Sequence, residues 1–252
     1  MLRFFRLIRR KLIEEDNMRE YIWYAFGEIL LVMIGILLAL QVNNWNEARK
    51  LHIEEERILK SLQTEVSQSI TQLESRFKSE KSTTEIIKIL LMGGQSMDSL
   101  LAHPKVDSMM FAAVWFTVTE VPVMQTYSDL KSSGNISIIQ NYEIREELSE
   151  LQFGLNNLDR QQKDLLSVQQ LRIDGIAIND LDFITLLSAS EYKEFKSGEK
   201  NDYKAFISEQ SIRNTLGAKL TLMDTALDIR NEIITSCKKL LKVIESELDQ
   251  TG

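Results

Sequence analysis

The longest unbroken apolar stretch of the chain is Tyr21 to Leu40, YIWYAFGEILLVMIGILLAL, in which Glu28 is the one residue that carries charge near neutral pH. About 20 residues at about 1.5 Å each cross the hydrocarbon core of a bilayer, so the stretch predicts one transmembrane helix. Ahead of it, LRFFRLIRRKLIEED crowds Arg3, Arg6, Arg9, Arg10 and Lys11 together, while Phe4, Phe5, Ile8 and Leu12 can share an opposite face. Such a basic amphipathic helix lies in the headgroup plane of an anionic leaflet. Beyond the span, basic residues are fewer and mixed with Glu54, Glu55 and Glu56. That bias places the N-terminus in the cytoplasm and everything after Leu40 outside it. Tyr21, Trp23 and Tyr24 then mark the inner interface and Trp45 the outer one. A cleaved signal peptide is the rival reading, but the run is long for one, contains Glu28 and lacks an A-x-A-like exit.

Past the span the pattern changes to one of helical faces. Leu59, Leu62, Val66, Ile70, Leu73 and Phe77 step by three or four, with Ile87 and Leu91 on the same line, until Gly93-Gly94 stops it. Without Gly or Pro between Gln41 and Met92, this helix is expected to continue from the span; the alternative is a kink near Asn43–Asn46. Pro104 reads as a first-turn residue of a short helix carrying Val106, Met109, Met110, Ala113 and Val114, followed by extended Val121-Pro122-Val123. Thr126 with Asp129 reads as the start of another short helix, ending at Gly134. Ile136, Ile138 and Ile139 form an apolar plug before Asn141, an N-cap for a helix with Ile144, Leu148, Leu151, Leu155, Leu158 and Leu165 on one face. From about Asp174 to Asn201 the pattern is less regular, with LDFITLL and SEYKEF as two short helices. The last helix alternates steps of four and three through Leu216, Leu220, Met223, Leu227, Arg230, Ile234, Cys237, Leu241, Ile244 and Leu248, a coiled-coil or bundle seam.

The predicted fold is therefore all-α: a cytoplasmic basic amphipathic helix (1–20), a single transmembrane helix (21–40) that continues onward, and an elongated antiparallel helical bundle in the periplasm (41–252). Composition agrees. The 252 residues hold only 10 Gly and 2 Pro, too few turn residues for a many-stranded sheet. The net charge of −7 argues against nucleic acid as a partner. One cysteine, Cys237, and two distant histidines, His52 and His103, offer neither a disulfide framework nor a sequence-local metal site. No P-loop, dinucleotide fingerprint, HExxH, GxSxG or paired CxxC occurs, so no catalytic residue, metal or cofactor is expected and the chain does not read as an enzyme.

Three features stand out as candidates. At 100° per residue Glu28, Gly35, Ala39 and Asn46 fall on one line of the membrane helix. Gly35 and Ala39 let another helix approach closely, and a carboxyl on the same face suggests helix association, with Glu28 protonated or hydrogen-bonded to its neighbour. A snorkelling Glu28, or an ion or proton path built with partner helices, are the other readings. Arg230 interrupts the last seam and either fixes register with an acidic partner or lines a polar cavity. Met109, Met110, Trp115 and Phe116 suit a ligand pocket, although such a stripe is more often core.

The stretches FFRLIRRKL and YAFGEILLVMIGILLALQVNNWNEARK resemble the opening of a family of unknown function of the Bacteroidota, domain of unknown function family 6090. TYSDLKSSGNISIIQN resembles that family's second motif. The resemblance implies a cell-envelope membrane protein of a diderm bacterium and implies no activity. Two functions compete. The first is a scaffold anchored in the cytoplasmic (inner) membrane, working by helix–helix association as a homo-oligomer or with a membrane-protein partner. The second is a periplasmic ligand-sensing bundle; with about 20 cytoplasmic residues and no room for an output domain, it needs a separate signalling partner.

Overall fold

The computed structural model describes residues 18–251 except 191, 193, 196, 197 and 199. The basic segment with Arg3, Arg6, Arg9, Arg10 and Lys11 lies outside the described residues. Helix α1 runs from Met18 to Met92 without interruption, so Asn43–Asn46 are helical. It ends where Gly93 and Gly94 both take positive φ, 72° and 69°, a conformation that costs a side-chain-bearing residue about 1–2 kcal/mol. There follow α2 (Gly94–Leu101), α3 (Val106–Val114), α4 (Gln125–Ser132), a 3₁₀ turn (Ile136–Ile138) and α5 (Tyr142–Val168). A π-helical turn at Gln169–Ile173 leads into α6 (Asp174–Asp180), then α7 (Phe183–Ser190), α8 (Tyr203–Ser208) and α9 (Gln210–Thr251). No strand occurs among the described residues; the protein is all-α.

The chain divides into two units between Glu55 and Glu56. In the first, every residue from Ile29 to Glu54 is exposed. The second, Glu56–Gly252, is a bundle whose long members are the latter part of α1, α5 and α9. Its side-chain pairs fix the directions. Asn141 with Glu247, Glu147 with Lys239 and Gln161 with the Leu222 carbonyl set α5 antiparallel to α9. Glu74 with Lys238, Glu80 with Arg230 and Lys88 with Asp224 do the same for α1 and α9. Gly154 makes the α5–α9 approach close: a Cβ there would stand 3.1 Å from Ile233 Cγ1.

Two apolar cores fill the bundle. One gathers Leu59, Leu62, Val66, Leu73, Leu148, Leu151, Leu155, Leu158, Ile233, Cys237 and Ile244. The other gathers Ile87, Leu90, Met110, Leu165, Ile173, Leu186, Phe206, Leu216 and Met223. A fully buried Leu or Ile is worth about 2 kcal/mol, so these two groups hold the bundle together without disulfides. On α1 and α5 the buried residues between the two sets are polar: Glu80, Thr83 and Thr84, and Gln162.

The corner before α5 is built by side chains reaching across. Asn141 accepts from the Glu143 and Ile144 amides and caps α5, while its Nδ2 donates to Glu247 Oε2 at 2.6 Å. Arg145 donates to the Ile139 and Gln140 carbonyls. Gly134, at φ 73°, ends α4: its amide donates to Lys131 O and that of Asn135 to Leu130 O, the paired bonds of a Schellman cap.

The structure corrects several sequence expectations. Helix α4 starts at Gln125 with Met124 as N-cap, and Thr126 is not its cap. Instead the Thr126 amide and hydroxyl both donate to Glu65 of α1, at 3.0 and 2.7 Å, so an orphan donor of α4 is satisfied from another helix. Pro104 precedes α3 by two positions and sits in the turn. Within SEYKEF, Ser190 ends α7 and the described residues after it are not helical, with Tyr192 and Phe195 stacked at 5.0 Å; the second short helix is Tyr203–Ser208.

Candidate functional site: an exposed apolar helix, a buried ion pair and a buried lysine beside a cleft

In the first unit, the described part of α1 includes one stretch long and apolar enough to cross a membrane, by length and composition, and none of its apolar window is buried. Trp23 and Trp45 are exposed. On the face expected for association, Glu28 is half-buried and Gly35, Ala39 and Asn46 are exposed; a Cβ added at Gly35 would meet nothing within 4 Å. That face is thus open to close approach.

Arg230 is fully buried and forms a two-pronged pair with Glu80, Nε to Oε2 and Nη2 to Oε1, both at 2.9 Å. Gln162 of α5 adds its Nε2 to Glu80 Oε1 at 3.2 Å. One charge cluster therefore ties the three long helices together. Arg230 Nη1 and Gln162 Oε1 are buried with no protein partner.

Eleven positions earlier on α9, Lys219 is also fully buried. Its Nζ donates to Val114 O at 3.0 Å and Gln169 Oε1 at 2.9 Å. Val114 ends α3, so the ammonium meets a carbonyl that the helix itself leaves unsatisfied. Gln169 opens the π turn and is buried. Its Oε1 also accepts from Thr117 Oγ1 at 3.1 Å, and its Nε2 donates to Val114 O at 3.0 Å and Asp174 Oδ1 at 2.7 Å. The amide uses all four of its hydrogen-bonding positions. Burial pulls the Lys219 ammonium down from its ordinary 10.5 to about 7, against a smaller opposing effect of the Asp174 charge.

Gln169 is also part of the wall of an open cleft of about 380 Å³, lined by Phe111, Trp115, Phe116, Thr117, Gln169, Asp174 and Leu187 among others. Of the four residues that sequence singled out for a pocket, Trp115 and Phe116 line the cleft. Met110 is buried in the core, and Met109 packs against it. Sequence reasoning passed over Glu80, Gln162, Gln169, Asp174 and Lys219. The one readable signal among them was spacing, since Lys219 stands three residues after Leu216 and eleven before Arg230. Cys237 is buried, its thiol pushed up to about 12 by desolvation, which suits a packed side chain and not a nucleophile. No group of three or more metal-ligating side chains comes together among the described residues.

The described residues define an all-α protein with one helix long and apolar enough to cross a membrane and a bundle carrying buried charge. The chain belongs to a family of unknown function, DUF6090, whose profile matches residues 28–154, just over half of its length. The match runs from Glu28 through the α4 corner to Gly154, so it includes Glu80 and Glu65, while Arg230, Lys219 and Gln169 lie beyond it. No curated protein and no solved structure matches the chain.

Proposed function

We propose that this protein is a single-pass inner-membrane scaffold, its N-terminus cytoplasmic and its bundle periplasmic, which works by helix–helix association with itself or with a membrane-protein partner. The observation that carries the reading is the two-part use of α1. The helix whose residues 29–54 are wholly exposed also supplies Leu59, Leu62, Val66 and Leu73 to a packed core. An exposed run of Ile, Leu and Val is stable in lipid and not in water. The basic segment ahead of it supports the orientation, and the open Gly35–Ala39 face supports association. Protease added to intact spheroplasts is expected to degrade the bundle, and crosslinking in native membranes to yield a defined oligomer or a constant partner. Glu28→Leu is expected to weaken that complex. A protected bundle, or a strictly monomeric species without partners, sinks the proposal.

A second reading, ligand sensing by the bundle, is favoured by the cleft beside Gln169. Native mass measurement of protein taken from its own membranes tests it, with a small molecule retained by the bundle as the expected result.

A further inference from the structure

We propose that the cleft between α3, the π turn and α6 is a binding site for a small organic cation, a quaternary or alkylated ammonium, held by aromatic walls and the Asp174 carboxylate. This rests on the ligand-sensing reading of the bundle and is independent of the membrane anchor. Three aromatic side chains, Phe111, Trp115 and Phe116, line one cleft of about 380 Å³, each half-buried, so each presents surface to it. A cation over such rings is attracted by their quadrupoles, the more strongly the better the site excludes water. Trp115 is itself braced by Phe183, centroid to centroid 4.5 Å, which fixes its position.

The charge in the wall has the matching sign. Asp174 lines the cleft and is half-buried; its Oδ1 accepts from Gln169 Nε2 at 2.7 Å, which anchors the carboxylate. The remaining polar members, Thr117, Thr119, Gln169 and Gln170, are neutral. The nearby cation, Lys219, does not line the cleft and is fully buried behind Gln169. The groups facing its ammonium are the Val114 carbonyl at the end of α3, the Gln169 amide of the π turn and, more distantly, the Asp174 charge at the start of α6. Since burial holds this lysine near 7, raising the pH through neutrality removes a positive charge from behind the cleft and leaves Asp174 uncompensated. A cationic ligand therefore binds better at pH 8.5 than at pH 6, whereas an anion would show the reverse.

The test uses the full chain in dodecyl maltoside, with Trp23→Phe and Trp45→Phe leaving Trp115 as the sole tryptophan of the three. Choline and its neutral isostere 3,3-dimethylbutan-1-ol are titrated against Trp115 fluorescence and, separately, by calorimetry. Expected are saturable binding of choline at least about tenfold tighter than the isostere, and a loss of about tenfold or more in Asp174→Asn. Phe116→Leu, which keeps the cleft apolar, is expected to weaken choline as well. Choline is also expected to bind more weakly at pH 6 than at pH 8.5, a dependence that Lys219→Met abolishes. Unaltered circular dichroism and thermal midpoint confirm that each variant is folded. If the isostere binds as well as choline, or Asp174→Asn changes nothing in a folded protein, the cation assignment is wrong and the cleft is a site for neutral ligands. If neither probe binds, the ligand-sensing reading of the cleft falls with it.

Discussion

Arg230 and Glu80 lie 150 residues apart in the chain and meet side by side, two 2.9 Å contacts joining guanidinium and carboxylate where neither is exposed by more than 1%. A pair of this kind contributes little net stability, because desolvating both charges offsets their attraction; breaking it is another matter. Arg230→Met leaves the buried Glu80 carboxyl without its counter-charge, with Gln162 Nε2 as its remaining donor, and is expected to lower unfolding free energy by about 3–5 kcal/mol. The double variant Glu80→Leu/Arg230→Met should recover most of that loss. Urea midpoints of the two variants check this, and equal losses in both would mean the pair is not what the single change breaks.

Lys219 gives stability a pH dependence of defined sign. In the unfolded chain it titrates near 10.5 and in the folded bundle near 7. Between those values the unfolded chain holds the proton and the folded one does not, so this residue's contribution makes stability rise with pH across that window. At pH 6 the penalty of charging a buried amine is complete. Lys219→Met removes it, and its two acceptors keep other donors: Val114 O has Gln169 Nε2, and Gln169 Oε1 has Thr117. The variant is expected to be more stable than the parent at pH 6 by on the order of 3 kcal/mol, with the gain shrinking toward pH 10. Denaturation curves at pH 6 and pH 10 read out both values.

Glu65 caps α4 from α1, and Glu65→Ala strips the Thr126 amide of its acceptor. A cost of about 1–2 kcal/mol follows. Because the loss is local, hydrogen exchange of the Thr126 amide and of the rest of α4 should accelerate more than that of α9.

Gly134 holds φ at 73° in open space, with nothing within 4 Å of a Cβ. Substitution there carries backbone strain without steric clash. Gly134→Ala is expected to cost about 1 kcal/mol and Gly134→Asn less, since Asn tolerates the left-handed region. A thermal melt of the two variants gives the order directly.

The all-α class, the unbroken α1 and the Asn141 cap were legible because each rests on local pattern: a long apolar run, a scarcity of Gly and Pro, an Asx residue before a periodic face. The face of α9 was legible only in part. Tracing apolar residues selects Leu220, Leu227, Ile234, Leu241 and Leu248, of which Leu227 and Ile234 are buried and the others half-buried, yet the deepest positions between the shared ones are Lys219, Ala226, Ile233 and Leu240. Both series alternate threes and fours through Leu216, Met223, Arg230, Cys237 and Ile244, and the trace prefers the greasier one. Lys219 was therefore passed over although it stands in phase, because no local pattern marks a lysine whose acceptors, Val114 and Gln169, lie 105 and 50 residues away. Glu80, Gln162 and the Glu65 cap escaped for the same reason: their partners are set by packing between helices, not by neighbours in sequence.

The π turn has a structural consequence of its own. The Asp174 amide donates to the Gln169 carbonyl, five residues back, so this turn carries one residue beyond the usual complement. Each residue advances a helix by about 100°, and that surplus sets the azimuth of everything after it. Excising a single residue from Gln169–Ile173 would make the helix regular while swinging Ala177 and Leu181, both now inside, round toward water. The local irregularity acts as a shim: an imperfection in one turn that lets the next element engage its neighbours.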